Sequence, residues 1–342
     1  MKRILHALLF ASIAFAATAL EVREGRLKLV LHESSGRFSA YFLADIQKNR
    51  YEPLFVDKDP RTSFSTLLID DRSHRLGEST SFRTRAEKTD AGARLVFESS
   101  SLVAYQDFSF VRLSGSTLAD GLRIDFTLIN KSDRELKAGL RFVLDTNLAE
   151  KQQAHFKTDK REIAAETVLA AKTDGDAWWV SETDGLGIMG SIAPEGFEAP
   201  DSLHFANWKR INDAPWKAQA SSGRNFNLLP YSIGDSAISY YFEPKALPRG
   251  AEQKTTIFLG IPNAEGFAGL GAATSAGLSQ ILRMSVDAAD SPALAMQTDL
   301  ITVRDLLSRV EELLKAPDSA TDEELAALEA VVERLKARNP QR

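Results

Sequence analysis

The residues with the clearest binding chemistry lie between positions 178 and 216, a stretch that contains all four tryptophans of the chain. Tryptophan faces stack on sugar rings, and imidazole and amide groups form hydrogen bonds with hydroxyl groups. This mixture predicts a glycan site built from Trp208, Trp216, His204 and Asn207. The alternative is that the tryptophans are core residues of a large β-sandwich, and the sequence leaves both interpretations open.

A second group of polar residues follows the apolar segment 139–144, which has the pattern of a buried strand. The group contains Asp145, Thr146, Asn147 and Glu150. Polar side chains at strand ends commonly line sites, because loops carry function on rigid scaffolds. The same residues could instead cap a turn, with the Asp145 carboxylate accepting local backbone N–H groups. We name Asp145 and Asn147 as further candidate ligand-binding residues.

Two other patterns are not expected to carry chemistry. The segment Gly185-Leu186-Gly187-Ile188-Met189-Gly190 matches a dinucleotide fingerprint, but Asp184-Gly185 is typical of a hairpin turn and a strand follows it. The four histidines beyond position 19 lie far apart in sequence and lack the spacing of a zinc site. The sequence therefore predicts neither a metal nor a cofactor.

The elements that must position these residues are strands. From residue 20 to 262 the chain alternates short apolar–polar runs with turn residues, as in the segment where Leu122, Ile124, Phe126 and Leu128 share one face. Only the stretch 163–171 suggests a helix there. The pattern predicts a mainly β fold, with one large antiparallel β-sandwich over 20–262.

The composition changes after Pro262. Residues 263–298 include a Gly/Ala-rich stretch and form a predicted linker region, and residues 299–337 predict a helical hairpin. Val303, Leu306, Val310 and Leu313 repeat at helical spacing, and Thr321 with Glu324 has the pattern of a capping box. We expect this hairpin to pack on the sandwich or on itself, since so short a coiled coil is marginal alone. The alternative is that 299–337 docks a partner protein or a second copy.

The N-terminus predicts the compartment. Lys2 and Arg3 precede a nearly continuous apolar run, and Ala17-Thr18-Ala19 fits a signal peptidase site, so residues 1–19 are a predicted signal peptide. Loss of those two cations changes the formal net charge from −5 to −7, and the chain has no cysteine. We therefore expect a periplasmic or secreted bacterial protein without disulfides, nucleic acid or an integral membrane segment.

The order of these elements resembles the galactose mutarotase-like supersandwich over residues 20–262. The segments that carry the resemblance are 120–130, 140–146, 205–208 and 235–241, followed by Pro248-Arg249-Gly250 and a last strand ending at Pro262. The resemblance implies sugar binding or sugar processing, and mutarotases use a histidine acid and a carboxylate base. His155 and His204 are candidates for that histidine, although neither has a recognisable flanking motif.

The sequence thus favours an exported, non-catalytic envelope protein that binds a glycan or a partner protein through its β-sandwich. One alternative is a sugar epimerase or lyase that uses His204 or His155 with Asp145 or Asp235 as general acid and base. Another is a structural component of a cell-envelope assembly that depends on the tail.

Overall fold

The structure is a computed structural model that describes residues 19–46, 48–56, 59–113, 118–183, 185–267 and 270. In the C-terminal tail it describes residues 299, 300, 302–304, 306, 307, 310, 311, 313, 314 and 322–338. The predicted signal peptide lies outside the described residues except for its last position, and so does most of the predicted linker.

The described part of the chain between residues 19 and 262 consists mainly of strands. Their bounds are β1 Leu20–Glu24, β2 Leu27–His32, β3 Arg37–Asp45, β4 Arg50–Pro53, β5 Phe64–Ile69, β6 Arg72–Arg75, β7 Arg83–Thr89, β8 Gly92–Glu98, β9 Leu102–Val111, β10 Gly121–Asn130, β11 Leu136–Leu144, β12 Phe156–Thr158, β13 Glu162–Ile163, β14 Thr167–Leu169, β15 Trp178–Thr183, β16 Leu186–Ser191, β17 Ser202–Asn207, β18 Ser236–Leu247 and β19 Glu252–Gly260.

These strands form three antiparallel sheets. A nine-stranded sheet has the order β13-β12-β15-β16-β19-β10-β9-β8-β7, a six-stranded sheet the order β14-β17-β18-β11-β5-β6, and a small sheet the order β1-β2-β3-β4. The two large sheets meet across one apolar core, where the Phe126 ring of β10 lies 5.3 Å from the Phe142 ring of β11. The predicted mainly β, sandwich-like fold is confirmed.

The six-stranded sheet has a second buried face. On β11, Leu140, Phe142 and Leu144 point into the main core, so Arg141 and Val143 point outward, as strand alternation requires. This outer face is covered by helix α1 (Trp208–Asp213) and by the chain that follows it. Both faces of the central strands are therefore buried, which places polar residues of the outer face in a dry environment.

Two local predictions can be compared with the strands. The stretch 163–171 is not helical but contributes β13 and β14, because its apolar residues pack one by one into the sheets. The predicted hairpin turn is confirmed: β15 and β16 pair antiparallel, and Gly185 adopts a φ of 85°, which a glycine tolerates without strain. Apart from Gly185, the glycine fingerprint itself lies in strand β16 and not at the start of a helix.

The tail is helical where it is described. Helix α2 spans Asp322–Arg338, and the described residues between 299 and 314 have helical backbone, whereas the loop between them lies outside the described residues. The Arg304 guanidinium donates to Tyr51 Oη (2.7 Å) and to the Gly25 carbonyl (2.9 Å), so the tail contacts the small sheet. No helix among the described residues is long and apolar enough to cross a membrane.

Candidate functional site

Three carboxylates from separate parts of the chain converge at one edge of the six-stranded sheet. They belong to Asp145, Glu150 and Asp235, and their oxygens lie within 4.8 Å of one another. Asp145 directly follows β11 and Asp235 directly precedes β18. Because these strands pair antiparallel, with Leu144 opposite Ile238, the end of one lies beside the start of the other. The sheet register therefore brings the two aspartates together.

Backbone and side-chain contacts hold Asp145 in place. Its backbone N–H donates to Ser63 Oγ (3.0 Å), and its carbonyl accepts from the backbone N–H of Val56 (3.2 Å). The Thr62 hydroxyl is a hydrogen-bond partner of the carboxylate. The short 3₁₀ helix Pro60–Thr62 thus fixes a side chain that is only 5% exposed.

The other two carboxylates are held from the β18 side. Glu150 Oε1 accepts the backbone N–H of Ser236 (3.2 Å), and the Ser232 hydroxyl is a partner of the Asp235 carboxylate. Asn207 Nδ2 donates to Ser232 Oγ (2.9 Å) and to the Asp235 carbonyl (3.0 Å). The loop before β18 is therefore tied to the end of β17.

The electrostatics of this carboxylate cluster are unusual. Burial raises the pKa of Asp145 to about 7, and it also raises the pKa values of Glu150 and Asp235, with neighbouring carboxylates adding to the effect for the first two. Within the described residues, none of the three carboxylates forms an ion pair with a basic side chain. The cluster can therefore hold a proton near neutral pH, and its oxygen spacing could also accommodate a divalent cation.

Trp208 is bonded to two of the segments that hold the carboxylate cluster. Its indole Nε1–H donates to the Thr62 carbonyl (2.8 Å), and its backbone N–H donates to the Asp235 carbonyl (3.3 Å). The half-buried ring also packs against the outer-face apolar group that contains Phe64. Of the predicted site residues, Trp208, Asn207 and Asp145 are thus brought together.

Asn207 has a positioning role within this group. It is fully buried, its Oδ1 accepts the Arg210 backbone N–H at the start of α1 (3.3 Å), and its Nδ2 is shared among three acceptors. Its hydrogen-bonding groups are occupied within the protein. Asn147 is exposed, with a φ of 54°, in the loop between Asp145 and Glu150.

His204 and Trp216 lie elsewhere on the outer face, around Tyr241. The His204 ring lies 4.5 Å and the Trp216 ring 5.9 Å from the Tyr241 ring. Burial, with a smaller effect of Lys217, lowers the pKa of His204 to about 4, so its imidazole is neutral at pH 7. The structure therefore separates the predicted site residues into two groups.

His155 is the histidine that approaches the carboxylate cluster. Its Nδ1 lies 2.8 Å from Ser236 Oγ, and its ring stacks on Phe226 with a centroid distance of 4.6 Å. Burial lowers its pKa, which keeps the ring neutral at pH 7. His155 also lines an open cleft of about 510 Å³ together with Gln152, Gln153, Lys157, Glu162 and Glu182. The cleft and the cluster therefore share the loop 145–155.

The loop before β18 adds exposed apolar side chains that the sequence analysis did not single out. Leu229, Tyr231 and Ile233 are 70%, 71% and 77% exposed, and Lys209 Nζ lies 5.5 Å from the Tyr231 ring centroid. In the sequence these three residues occupy every second position just before Asp235. This alternation is the signal that could have identified the exposed apolar loop. An exposed aromatic ring thus lies on the loop that carries a cluster carboxylate.

The fold has counterparts among solved structures. No family model matches the chain, and no curated protein matches it. A protein of Escherichia coli K12 provisionally named an aldose 1-epimerase is 11% identical over 72% of this chain and 99% of its own, with a TM-score of 0.45. A galactose mutarotase-like protein from Lactobacillus casei is 9% identical over 72% and 100%, with a TM-score of 0.42.

A polysaccharide lyase is also similar, with 10% identity, a TM-score of 0.40, and coverage of 72% of this chain and 34% of its own. Solved structures described as galactose mutarotase-like are thus among those similar to this chain, as the sequence resemblance predicted.

Proposed function

We propose that this chain is an exported carbohydrate-binding protein whose ligand contacts the carboxylate cluster of Asp145, Glu150 and Asp235. The observation that carries the proposal is the convergence of these three side chains at one partly open edge of the sandwich. Carboxylate oxygens accept hydrogen bonds from sugar hydroxyls, and the exposed Tyr231 ring and half-buried Trp208 ring offer faces for sugar C–H groups.

The absence of a basic partner within the described residues supports a ligand rich in donors. Three acidic side chains within 4.8 Å repel one another when ionised, so bound hydroxyl donors stabilise their charged forms. A buried ion pair in the same place would have satisfied those oxygens internally. The cluster is thus better suited to contacts from outside than to a structural role alone.

A glycan array with the chain from residue 20 onward tests the proposal, followed by titration of the best glycan with tryptophan fluorescence. We expect Asp235→Asn to weaken binding by about tenfold or more, since charged hydrogen bonds to a ligand are worth roughly 1.5–3 kcal/mol. Asp133→Asn, at an exposed turn on the same sandwich, is the matched control and should bind normally. Absence of any glycan signal, or equal effects of the two variants, would contradict the proposal.

A second candidate function is a sugar epimerase or lyase, and the position of His155 favours it. A neutral imidazole and the Glu150 carboxylate both contact Ser236, which places a proton acceptor near groups that can hold a proton. NMR of anomer exchange, or absorbance of unsaturated products, with the glycan found on the array tests for turnover. Turnover that His155→Gln abolishes while binding persists supports the enzyme, and binding without turnover supports the non-catalytic protein.

Export and assembly belong to the same proposal. Residues 1–19 are expected to direct the chain to the periplasm or exterior, which cell fractionation with and without these residues tests. The tail helices are expected to serve docking or assembly, since Leu300, Leu307 and Leu314 remain 53%, 54% and 74% exposed. Deleting residues 299–342 should reduce the mass measured by light scattering if copies associate through this tail, and an unchanged mass would refute self-association.

A further inference from the structure

Three arginine side chains surround the ring of Phe64 on the outer face of the six-stranded sheet. The guanidinium carbons of Arg75, Arg141 and Arg37 lie 4.0, 5.4 and 5.9 Å from the ring centroid. The Phe64 ring is itself 2% exposed. This arginine cluster concentrates three positive charges around one buried aromatic ring.

The sheet register explains why two of these charges meet. Arg141 of β11 is paired with Thr66 of β5, and Thr66 is paired with Arg75 of β6. The three residues therefore form one row on the outer face, and Phe64 shares that face because it lies two positions before Thr66. Arg37 reaches the same ring from the small sheet.

The two most buried arginines have incomplete hydrogen bonding. Arg37 and Arg141 are each 1% exposed. Nη1 of Arg37 donates to the Ser35 and Leu76 carbonyls, and Nη1 of Arg141 donates to the Ala214 and Trp216 carbonyls. Among the described residues, neither Nε atom has a hydrogen-bond partner, and both are buried. Two buried N–H donors on charged groups therefore lack an acceptor, and leaving such donors unsatisfied in the interior lowers the stability of the fold.

The charge of the cluster is only partly balanced. Within the described residues, the carboxylate paired with these guanidiniums is that of Glu78, with Oε1 2.8 Å from Arg37 Nη2 and Oε2 3.8 Å from Arg75 Nη1. Burial lowers the pKa of Arg37 to about 10, and the neighbouring Arg75 lowers it further, while Glu78 opposes both effects. One carboxylate thus pairs with two of the three guanidiniums, and among the described residues Arg141 has no carboxylate partner.

The position of Glu78 shows how an anion can be held there. Its side chain is 46% exposed and Arg75 is 25% exposed, so both are accessible from solvent, whereas Arg37 lies beneath them. Because Arg37 is buried, loss of Glu78 alone would leave its charge uncompensated at a cost in stability, whereas an incoming oxyanion takes over the pairing as the carboxylate leaves.

We propose that Arg37 and Arg75 form an oxyanion-binding site, in which a carboxylate or phosphate group of a ligand replaces the Glu78 carboxylate while the buried charge of Arg141 adds to the positive potential. The planar guanidinium group matches both oxyanions, because its N–H groups pair with two oxygens at once. This site is distinct from the carboxylate cluster, and the segment 62–64 lies between them: Thr62 contacts Asp145, and Phe64 contacts the arginines.

Inorganic phosphate is the probe, titrated into the full chain at constant ionic strength with sodium chloride as the balancing salt. We expect a saturable rise in melting temperature and a calorimetric binding signal. Glu78→Gln removes the competing carboxylate, and binding should tighten by about fivefold. Arg75→Gln should weaken it by about tenfold. Arg83→Gln, an exposed arginine on β7, is the matched control and should bind as the wild type does.

The gain of affinity separates a binding site from a purely structural cluster, because loss of a structural ion pair does not tighten phosphate binding. Glucuronate compared with glucose then tests whether a sugar carboxylate is bound, while phosphate binding without glucuronate binding assigns the site to phosphate groups. Stabilisation equal to that by chloride, or equal binding by Glu78→Gln and wild type, would overturn the proposal.

Discussion

The imidazole of His155 and the carboxylate of Glu150 are both bonded to Ser236, the first residue of β18. His155 Nδ1 lies 2.8 Å from Ser236 Oγ, and the Ser236 backbone N–H donates to Glu150 Oε1 over 3.2 Å. The two titratable groups are therefore linked through one residue. His155 contacts the Ser236 hydroxyl and Glu150 contacts the Ser236 backbone, so a substitution can remove the first contact and keep the second.

Replacing Ser236 by alanine removes the hydroxyl and leaves the backbone donor to Glu150 in place. His155 Nδ1 then loses its partner in a site that is 7% exposed, so we expect a loss of about 1–3 kcal/mol in the free energy of unfolding. Urea unfolding measures it. Ser100→Ala, at an exposed position between β8 and β9, is a control, and equal small losses would show that the His155 contact is unimportant.

Asp145→Asn should change how stability depends on pH. The pKa of Asp145 rises from 3.8 to about 7 on folding because the carboxyl is buried. The native state therefore binds this proton more tightly than the unfolded chain. As pH rises from about 4 to 7, ionisation of the buried carboxyl lowers the free energy of unfolding. An asparagine stays neutral, so the variant should gain stability relative to wild type at pH 8, by up to roughly 4 kcal/mol.

The measurement is urea unfolding of both proteins at pH 5 and pH 8, in EDTA so that no divalent cation contributes. Other carboxylates respond to pH in both proteins, so the difference between variant and wild type is the informative quantity. A difference that is the same at both pH values would show that Asp145 ionises normally.

Trp208→Ala separates packing from binding. The indole is half-buried and donates to the Thr62 carbonyl, so its loss should cost about 2–4 kcal/mol, less than the 3–5 kcal/mol of a fully buried tryptophan. Trp208→Phe keeps an aromatic face but loses the indole N–H, and it should recover part of that stability. If glycan binding falls with Ala but persists with Phe at a temperature where both are folded, the ring face contacts the ligand.

Glu166 fixes the segment that carries Trp208. Its fully buried carboxylate bonds Arg210, Arg224 and the backbone of Asn207, and these contacts outweigh burial and keep its pKa below the usual value. Glu166→Gln leaves two guanidiniums unbalanced and should cost about 3–5 kcal/mol. Glu243→Gln, which breaks an exposed pair with Lys217, should cost less than about 1 kcal/mol in the same urea titration.

Arg304→Ala tests the contact between the tail and the small sheet. Loss of the bonds to Tyr51 and Gly25 should release the helical residues around position 304 and accelerate their cleavage by trypsin or chymotrypsin, while residues 20–262 stay resistant. Arg249→Ala, at an exposed turn, provides the comparison. Equal cleavage rates for the two variants would mean that the tail is held by other contacts.

The sequence predicted the sandwich because its strands alternate polar and apolar residues, as Leu122, Ile124, Phe126 and Leu128 do. It predicted Asp145 and Trp208 as candidates from local chemistry, and the structure places both beside Thr62. The pairing of Asp145 with Asp235 follows from strand register, which no local pattern encodes.

The sequence did not predict the arginine cluster for the same reason, since strand register is not encoded in any local pattern. Arg37, Arg75 and Arg141 are scattered in sequence, each in an unremarkable strand, and only the pairing of β5 with β6 and β11 unites two of them. His204 and Trp216 show the converse case, since their proximity in sequence to Trp208 predicted a shared site that the sheet geometry divides. Spacing along the chain is a poor guide where strands far apart in sequence are neighbours.

The antiparallel pairing of β11 with β18 also affects how the protein folds. Nearly a hundred residues separate the two strands, so their contact closes a long loop, and non-local pairings of this kind form slowly. The carboxylate cluster is complete only once that loop has closed. A ligand that needs both Asp145 and Asp235 would therefore bind the native sandwich but not the folding intermediates that precede it. Its binding would report when this last pairing has formed, and it would stabilise the native state selectively.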